Sequence, residues 1–513
     1  MPSREKPISF LDRQGGATAR DDAIGRPGED SSLVRFGTPI LTALVVALVA
    51  RQFWFALRGY LNVDEFENLQ MLWLWAHGVL PVRDYEHTHL PVYNLLLAPI
   101  YRAVGPVAGL PGVVRIALFP IVLLTVAQVA WLGRRLVGLS PGGRIAAALL
   151  LASPWTAVTL AEMRPDTPAI PLALGALMLH LGYLEDPAAR PRRLYGAAVL
   201  LGLSLLFSQK PILLALAMAW EAERAHARRF GMAFVSRAVR MAGFTLLLAL
   251  PFAATVALLR FSLNLSGTDL GLLLTSGMAR EVTDFHRATK PVVLAALIGP
   301  NALFALLALV EAVRSRFWTG GKDPDESGRK IAGAFVVFSA VQLLALPFVV
   351  GQVIALPLAV GAALAACALA RLQPRTWILG VFLVVAFANL AKPYGYPTRG
   401  AQVEAFRFLL DRVAPDRPIL DVQTGLGAFH PFVERHLYYR PGLYDERINA
   451  EQTALVARGL DAKTFGAVVD HFGLMAQAPA EIRSLLAKNY RRGPWEDVLL
   501  PVEHPPALGG RGG

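Results

Sequence analysis

Eleven apolar segments dominate this chain, and they leave little freedom in how it can fold. They lie at 36–57, 113–133, 145–161, 167–183, 195–207, 211–221, 241–260, 291–312, 331–350, 352–370 and 376–391. A helix needs about 20 apolar residues to cross a bilayer. The two segments within 195–221 are the shortest and read as a hairpin. The sequence is 54% hydrophobic and only 17% charged, against about 25% charge in soluble domains. The fold class is therefore a polytopic α-helical membrane protein of about eleven spans with a soluble piece attached.

The net charge of +12 suggests nucleic acid, but the basic residues sit in short clusters between apolar segments. The positive-inside rule accounts for them, and no nucleic-acid partner is expected. The single cysteine, Cys367, lies in an apolar segment, so no intrachain disulfide can form. Residues 1–35 are polar, with Gly, Pro and mixed charge. They read as a disordered cytoplasmic tail without a cleavable signal peptide.

Loop charges set the topology. With the N-terminus inside, the inner loops hold Arg134, Arg135 and Arg144, then Arg190, Arg192 and Arg193, then Arg224, Arg228, Arg229 and Arg237. Further inner loops hold Arg314, Arg316, Lys322, Arg329 and Lys330, then Arg371 and Arg375. This register requires 91–104 to be a short re-entrant or juxtamembrane helix. As a full span it would throw Arg134–Arg135 and Arg190–Arg193 outside. The outer face then collects the loop 58–112, the stretch Glu162-Met163-Arg164-Pro165-Asp166, the hairpin Ser208-Gln209-Lys210, and the loop 261–290.

The densest set of acids and histidines falls in Asn62–Pro91 of that first loop. Asn62 with Glu65 three residues on has the spacing of a capping box, and Gly78 supplies a stop. The helix between is rich in Trp and aliphatic residues, which suits a membrane surface. Ionisable groups held at such a boundary are costly and usually functional. Asp64, just after a span, would be held rigidly enough to deprotonate an acceptor hydroxyl. Glu65 either caps the helix or meets substrate. Asp166, after Arg164-Pro165, caps the next span, orients an acceptor or shares a metal. Arg164 and Lys210 either face a lipid phosphate or snorkel to headgroups. Glu86, His87 and His89 offer divalent-ion ligands, though their spacing matches no zinc pattern.

The D-x-D of Asp323-Pro324-Asp325 lies in an inner loop and reads as solvated. No Gly-rich phosphate loop follows a strand, and Gly425-Leu426-Gly427 is too short to count. From about residue 396 the character changes. Val403–Val413 and Ala480–Lys488 read as helices, and Pro418–Val422, Ala467–Asp470 and Asp497–Val502 as strands. The result is a small α/β domain over 396–505, outside the membrane because the span count is odd. The tail Gly509–Gly513 is low-complexity.

These residues carry a resemblance. Asp64-Glu65 after the first span, followed by GVLPVRDYEHTHLPVYNLLLAPIYRAVG, resembles the first outer loop of GT-C membrane glycosyltransferases. That group takes in the protein O-mannosyltransferases and the lipid A aminoarabinose transferase, glycosyltransferase family 39 and its relatives. AEMRPDTPA (161–169) resembles the second outer loop, and FSQKP (207–211) a Lys-bearing hairpin. The resemblance covers 36–391, the expected transmembrane domain. It implies a hexosyl or pentosyl transferase that takes a sugar from a polyprenyl-phosphate carrier, typically with inversion. The acceptor is a lipid, glycan or protein at the outer face of a bacterial cytoplasmic (inner) membrane. It implies Asp64 as catalytic base, with Glu65, Glu86, His87, His89, Arg164, Asp166, Lys210 and Gln352 toward substrate. A divalent ion held by Asp64, Glu86 and Asp166 stays open as a cofactor. Two departures touch the donor contacts: the usual His-Pro-Pro is His89-Leu90-Pro91, and Gly351-Gln352 stands where relatives often carry an aromatic residue or His.

Two other readings compete. A polysaccharide ligase or polymerase would carry more basic residues in a large outer loop than 261–290 does. A lipid or sugar transporter or flippase would place ionisable residues mid-span in broken helices, whereas here the acids gather outside.

Overall fold

The computed structural model describes residues 32–502 apart from 81–90, 139, 264–265, 267–289, 292–293, 296–298, 320–323, 346–353, 372–398, 423, 432–438, 440–445, 471–472 and 496. The chain opens with α1 (Ser32–Arg58), α2 (Val63–Ala76) and α3 (Val92–Val104). The bundle continues with α4 (Leu110–Val137), α5 (Ser140–Ala152), α6 (Pro154–Ala161), α7 (Asp166–Glu185), α8 (Pro191–Phe207) and α9 (Ile212–Arg224). After a π-helical turn come α10 (Phe234–Leu263), α11 (Ala302–Arg314), α12 (Pro324–Ala345) and α13 (Ala355–Arg371). The C-terminal part holds α14 (Arg399–Arg412), β1 (Ile419–Asp421), α15 (Glu446–Asp461), β2 (Ala467–Val469), α16 (Ala480–Asn489), β3 (Tyr490–Arg492) and β4 (Val498–Pro501).

Among the described residues, five helices are long and apolar enough to cross a membrane: α1 from Thr38, α4, α7, α10 and α12. The protein is a multi-pass membrane protein, mostly helical. The expected count of eleven spans differs in instructive places. The segment expected at 145–161 is two helices. Pro154 has no N–H to continue α5, and the Ser153 hydroxyl instead caps α6 by accepting from the Thr156 N–H at 3.4 Å. The helices at 195–207 and 211–221 form as α8 and α9, with 17 and 13 residues. The segment expected at 376–391 lies outside the described residues, as do the 261–290 loop apart from Phe261–Leu263, Ser266 and Lys290, and the tail at 509–513. The N-terminal helix begins at Ser32, inside the stretch expected as tail.

One core runs through the bundle, built on Ala146–Leu151, Ala173–Leu177 and Ala359–Ala366. Small residues there let the helix backbones approach closely. α10 is the opposite case. Phe234, Leu246 and Phe261 stand 72%, 68% and 83% exposed along it. Apolar side chains exposed in such a row belong against lipid.

A second core sits at one end of the bundle. It joins α2, α3, the start of α4 and Met163 to α14 and the sheet. α3 has 13 residues, which at about 1.5 Å each falls well short of the bilayer core. It buries Tyr93, Asn94, Leu97 and Tyr101 and exposes Leu95 and Leu96.

The C-terminal sheet has the order β1-β2-β4-β3. β1 and β2 are parallel, with Leu420 opposite Val468, and α15 makes the crossover between them. β4 runs antiparallel to both neighbours, pairing Val468 with Leu499 and Arg491 with Leu500.

Candidate active site

α2 starts as its sequence requires. Asn62 accepts from the Asp64 N–H at 3.1 Å, and Glu65 accepts from the Asn62 N–H at 2.8 Å. This capping box fixes the first helical turn, and the turn carries both acids. Gly78, at φ +77°, lies just past the end of the helix.

The two adjacent acids then part company. The Glu65 side chain is fully buried. Arg115 of α4 grips it with two bonds, Nε to Oε1 at 2.7 Å and Nη2 to Oε2 at 2.5 Å. The Met163 N–H adds a third at 2.7 Å. Arg115 also donates to the carbonyls of Gly59 and Tyr60 at 2.9 and 2.7 Å. Glu65 thus caps, as half of its expectation had it, and both its oxygens are occupied by protein. Asp64 faces the other way, and its side chain is 37% exposed. The guanidinium of Arg164 donates to it from Nη1 at 2.5 Å.

Arg164 sits in the turn between α6 and α7, with its side chain only 7% exposed. Its Nε donates to Glu162, whose other oxygen accepts from Asn62 Nδ2 at 3.3 Å. The surrounding carboxylates of Glu162, Asp64 and Glu65 raise its pKa, overcoming burial. Glu162 is pushed up to about 6 because burial outweighs the pull of Arg164. Four residues on, Asp166 opens α7 and accepts from Lys210 Nζ at 2.7 Å. Lys210 lies in the turn between α8 and α9. Burial pulls its pKa down, and Asp166 partly restores it. Arg164 and Asp64 also act on Lys210 electrostatically. A shallow notch opens at this pair, lined by Asp166, Ser208, Lys210, Pro211 and, from α13, Ala355 and Leu356.

The structure therefore brings together Asp64, Arg164, Asp166 and Lys210 from three separate loops. Four carboxylates (Asp64, Glu65, Glu162, Asp166) meet three cations (Arg115, Arg164, Lys210), leaving one net negative charge when all are ionised. Expectations for Glu86, His87, His89 and Gln352 fall outside the described residues. Among the described residues no three His, Cys, Asp or Glu side chains gather as metal ligands. Asp64 and Asp166 each face a cation, Arg164 and Lys210, and Glu86, the third residue of the expected ion site, lies outside the described residues.

Sequence reasoning missed Arg115 and Tyr93 and gave Glu162 no role. A lone Arg in the apolar run 113–133 was the available signal, since such a charge needs a buried partner. Tyr93 is 1% exposed, and its hydroxyl has no hydrogen-bond partner among the described residues. It stands close enough to Glu65, Arg164 and Asp166 to feel their charge.

The opposite end of the bundle is basic. Arg135 of α4 and Arg190 pair with Glu185, the last residue of α7. α4 has 28 residues, so its two ends lie about 42 Å apart at 1.5 Å per residue. The acidic cluster and these basic residues thus lie toward opposite ends of α4.

A charged cluster where helices end lies beside a short helix, and the C-terminal sheet packs against α2. The chain resembles the GT-C membrane glycosyltransferases. Residues 91–256 match the family model of the dolichyl-phosphate-mannose-protein mannosyltransferases. The apo structure of ArnT from Cupriavidus metallidurans aligns with a TM-score of 0.57 at 14% identity, over 90% of this chain and 98% of that one. AglB from Archaeoglobus fulgidus, an archaeal oligosaccharyltransferase solved with an inhibitory peptide and a dolichol-phosphate, aligns at 0.50 and 11% identity, over 92% and 75%. ArnT bound to undecaprenyl phosphate aligns at 0.49 and 16%, over 72% and 69%. No curated protein matches the sequence. At these identities the apo ArnT and AglB structures establish a shared fold.

Proposed function

We propose that the chain is an integral membrane glycosyltransferase. It moves a hexosyl or pentosyl group from a polyprenyl-phosphate carrier to a lipid, glycan or protein acceptor at the outer face of a bacterial cytoplasmic membrane. One observation carries the reading: a carboxylate one-third exposed, Asp64, stands 2.5 Å from Arg164 at the mouth of an otherwise buried charge cluster. The match of residues 91–256 to a family of dolichyl-phosphate-mannose transferases supports the donor class. The same reading takes the stretch before α1 as a cytoplasmic tail, the helices up to residue 391 as the bundle and 396–505 as an outer domain that braces the site or meets the acceptor.

The chemistry follows from the charges. The acceptor oxygen attacks the anomeric carbon while its proton passes to the Asp64 carboxylate. The bond from that carbon to the phosphate oxygen breaks, and its electron pair leaves with the polyprenyl phosphate. The phosphate group goes from one negative charge to two. Lys210 has donors beyond the one held by Asp166, and Arg164 keeps Nη2 outside its two carboxylate pairs. Both are placed to meet that growing charge, which is where electrostatic stabilisation counts most. Asp166 and Glu65 hold the cations and the helix in place.

The test uses purified protein in detergent, labelled polyprenyl-phosphate sugars and cell-envelope extract. The native chain should consume one donor and label one acceptor. Asp64→Asn should abolish transfer while leaving insertion and folding intact, since a general base contributes about 10²–10⁴-fold. Full activity in that variant removes Asp64 as the base.

A further inference from the structure

α9 and α11 end in the same way. α9 begins beside Lys210, and its 13 residues carry Arg224 about 20 Å from that turn, away from the candidate site. Ile212, Leu216, Trp220 and Arg224 follow one another at four-residue steps along it, and the first three are exposed. The same step on α11 gives Leu306, Val310 and Arg314, all exposed, with the half-exposed Trp318 in the turn beyond. α12 packs against both helices, and Arg224 ties their ends together. Its Nη1 donates to the Phe317 carbonyl at 3.4 Å and its Nη2 to that of Trp318. Its guanidinium lies 4.9 Å from the centroid of the Trp220 ring, a cation–π contact. Nearby acids are already taken, Glu223 by Arg237 at 3.0 Å and Glu311 by Arg371 at 3.1 Å. Among the described residues Arg224, Arg314 and Arg316 form no salt bridge.

We propose that the ends of α9 and α11 seat one anionic phospholipid. Its phosphate meets Arg224, Arg314 and Arg316, Trp220 and Trp318 stand at its glycerol level, and its acyl chains follow the apolar rows. Aliphatic, then tryptophan, then arginine is the order of a lipid leaflet from chain to interface to headgroup, and it is written along α9 residue by residue. A guanidinium suits a phosphate because it offers two parallel N–H groups. Arg224 keeps donors beyond the two that its carbonyl bonds use. Stacked on Trp220 and bonded to two carbonyls, it is ordered before the lipid arrives, so little freedom is lost on binding. Arginines at a membrane surface draw anionic headgroups in general. Here one of them is fixed, and no carboxylate competes for the three. A zwitterionic headgroup would bring its own cation against them, so the surface selects a net negative lipid.

The test needs no turnover, so its outcome is separate from that of the transferase reading. The full chain in neutral detergent is titrated with phosphatidylglycerol, or with phosphatidylcholine of the same acyl chains, and bound lipid is counted by native mass spectrometry. One phosphatidylglycerol should bind at least about tenfold more tightly than phosphatidylcholine. The Arg314→Gln, Arg316→Gln double variant removes two exposed cations whose side chains hold nothing else among the described residues. It should weaken phosphatidylglycerol about 10- to 30-fold and leave phosphatidylcholine unchanged. Arg224→Lys keeps the charge but gives up the planar fork, and should weaken it about 3- to 10-fold. Arg192, exposed in the first turn of α8, lies at the same end because α8 runs from there to the Lys210 turn. Arg192→Gln should change binding by less than about twofold, as a charge screened from the seat. Equal affinity for the two lipids, or an equal loss in Arg192→Gln, overturns the inference, because diffuse attraction alone would then account for binding. Displacement of the lipid by equimolar glycerol phosphate also overturns it, since the surface would then hold a soluble phosphate.

Discussion

The Glu65–Arg115 pair offers the sharpest test of how this end of the bundle is built. Both side chains are at 0% exposure, so no solvent screening reduces the interaction. Arg115→Met keeps most of the stem and removes the charge. It strands the Glu65 carboxylate with only the Met163 and Asn62 N–H groups, and takes donors from the carbonyls of Gly59 and Tyr60. Removing one partner of a buried pair costs about 3–5 kcal/mol. The orphaned carbonyls push toward the upper end of that range, since each buried unsatisfied group costs about 1–3 kcal/mol where water cannot reach it. Glu65→Gln should cost a similar amount by stranding the guanidinium. The double variant should cost less than the sum, with a coupling of at least about 2 kcal/mol, near the upper end of couplings between residues in contact. The assay is reversible unfolding in mixed detergent micelles for all four proteins, at low and at 0.5 M salt. A buried pair should respond little to salt. An Arg115→Met cost below about 1 kcal/mol, the range of exposed ion pairs, or simple additivity, would refute the reasoning.

Two further outcomes concern the sheet and its seat on α2. Gly425 holds φ +82°, and a Cβ there would come within 2.5 Å of the Phe66 Cβ. Gly425→Ala should cost about 1–2 kcal/mol from the left-handed backbone alone and loosen the sheet, seen as faster proteolytic release of the C-terminal part; native resistance would count against that contact. Burial pushes the Asp421 carboxyl from 3.8 up to about 6, against hydrogen bonds from Gly427 and Thr424. The folded chain thus binds this proton more tightly than the unfolded chain. The stabilising contribution is full below pH 3.8 and is lost as pH rises through 6. Asp421→Asn should flatten the pH dependence of sheet unfolding between about pH 4 and 6, measured by denaturant titration, and an unchanged slope would exclude this group.

Much of this was legible locally. Asn62 and Glu65 sit three apart, and that spacing alone gives the capping box. The loop arginines gave the register that makes 91–104 a short helix. The strands at 418–422, 467–470 and 497–502 form within a residue or two of their apolar runs. The rest failed for identifiable reasons. Arg115 and Glu65 are 50 residues apart, and nothing in either neighbourhood names the other. β3 reads Tyr-Arg-Arg, with both arginines exposed, so an edge strand gave no apolar run to find. The break at Ser153-Pro154 did leave a signal in the proline, but hydropathy over 145–161 is continuous across it. Glu162 stands two residues before Arg164 in the sequence, but the sharing of that guanidinium with Asp64 is something only the fold arranges.

The sheet reaches the candidate site through α2. Gln402 of α14 pairs with both backbone groups of Leu61, at 2.8 and 2.9 Å. Gln70, within α2, accepts from the Phe429 N–H at 2.5 Å and donates to the His430 carbonyl at 2.7 Å. Phe66, Phe406 and Phe429 pack together near those two anchors, Phe66 edge-on to Phe406 and Phe406 tilted against Phe429, with ring centroids 5.2 and 5.5 Å apart. The residue before the cap and the middle of the helix are thus both bound to the C-terminal part, while Arg115 and Met163 hold the same helix from the bundle. A short helix at a membrane boundary has little stability of its own. Held from both sides, its first turn becomes rigid enough to keep one carboxylate buried and the next one facing out. That division between Glu65 and Asp64, one peptide unit apart, is the physical basis for assigning them different work.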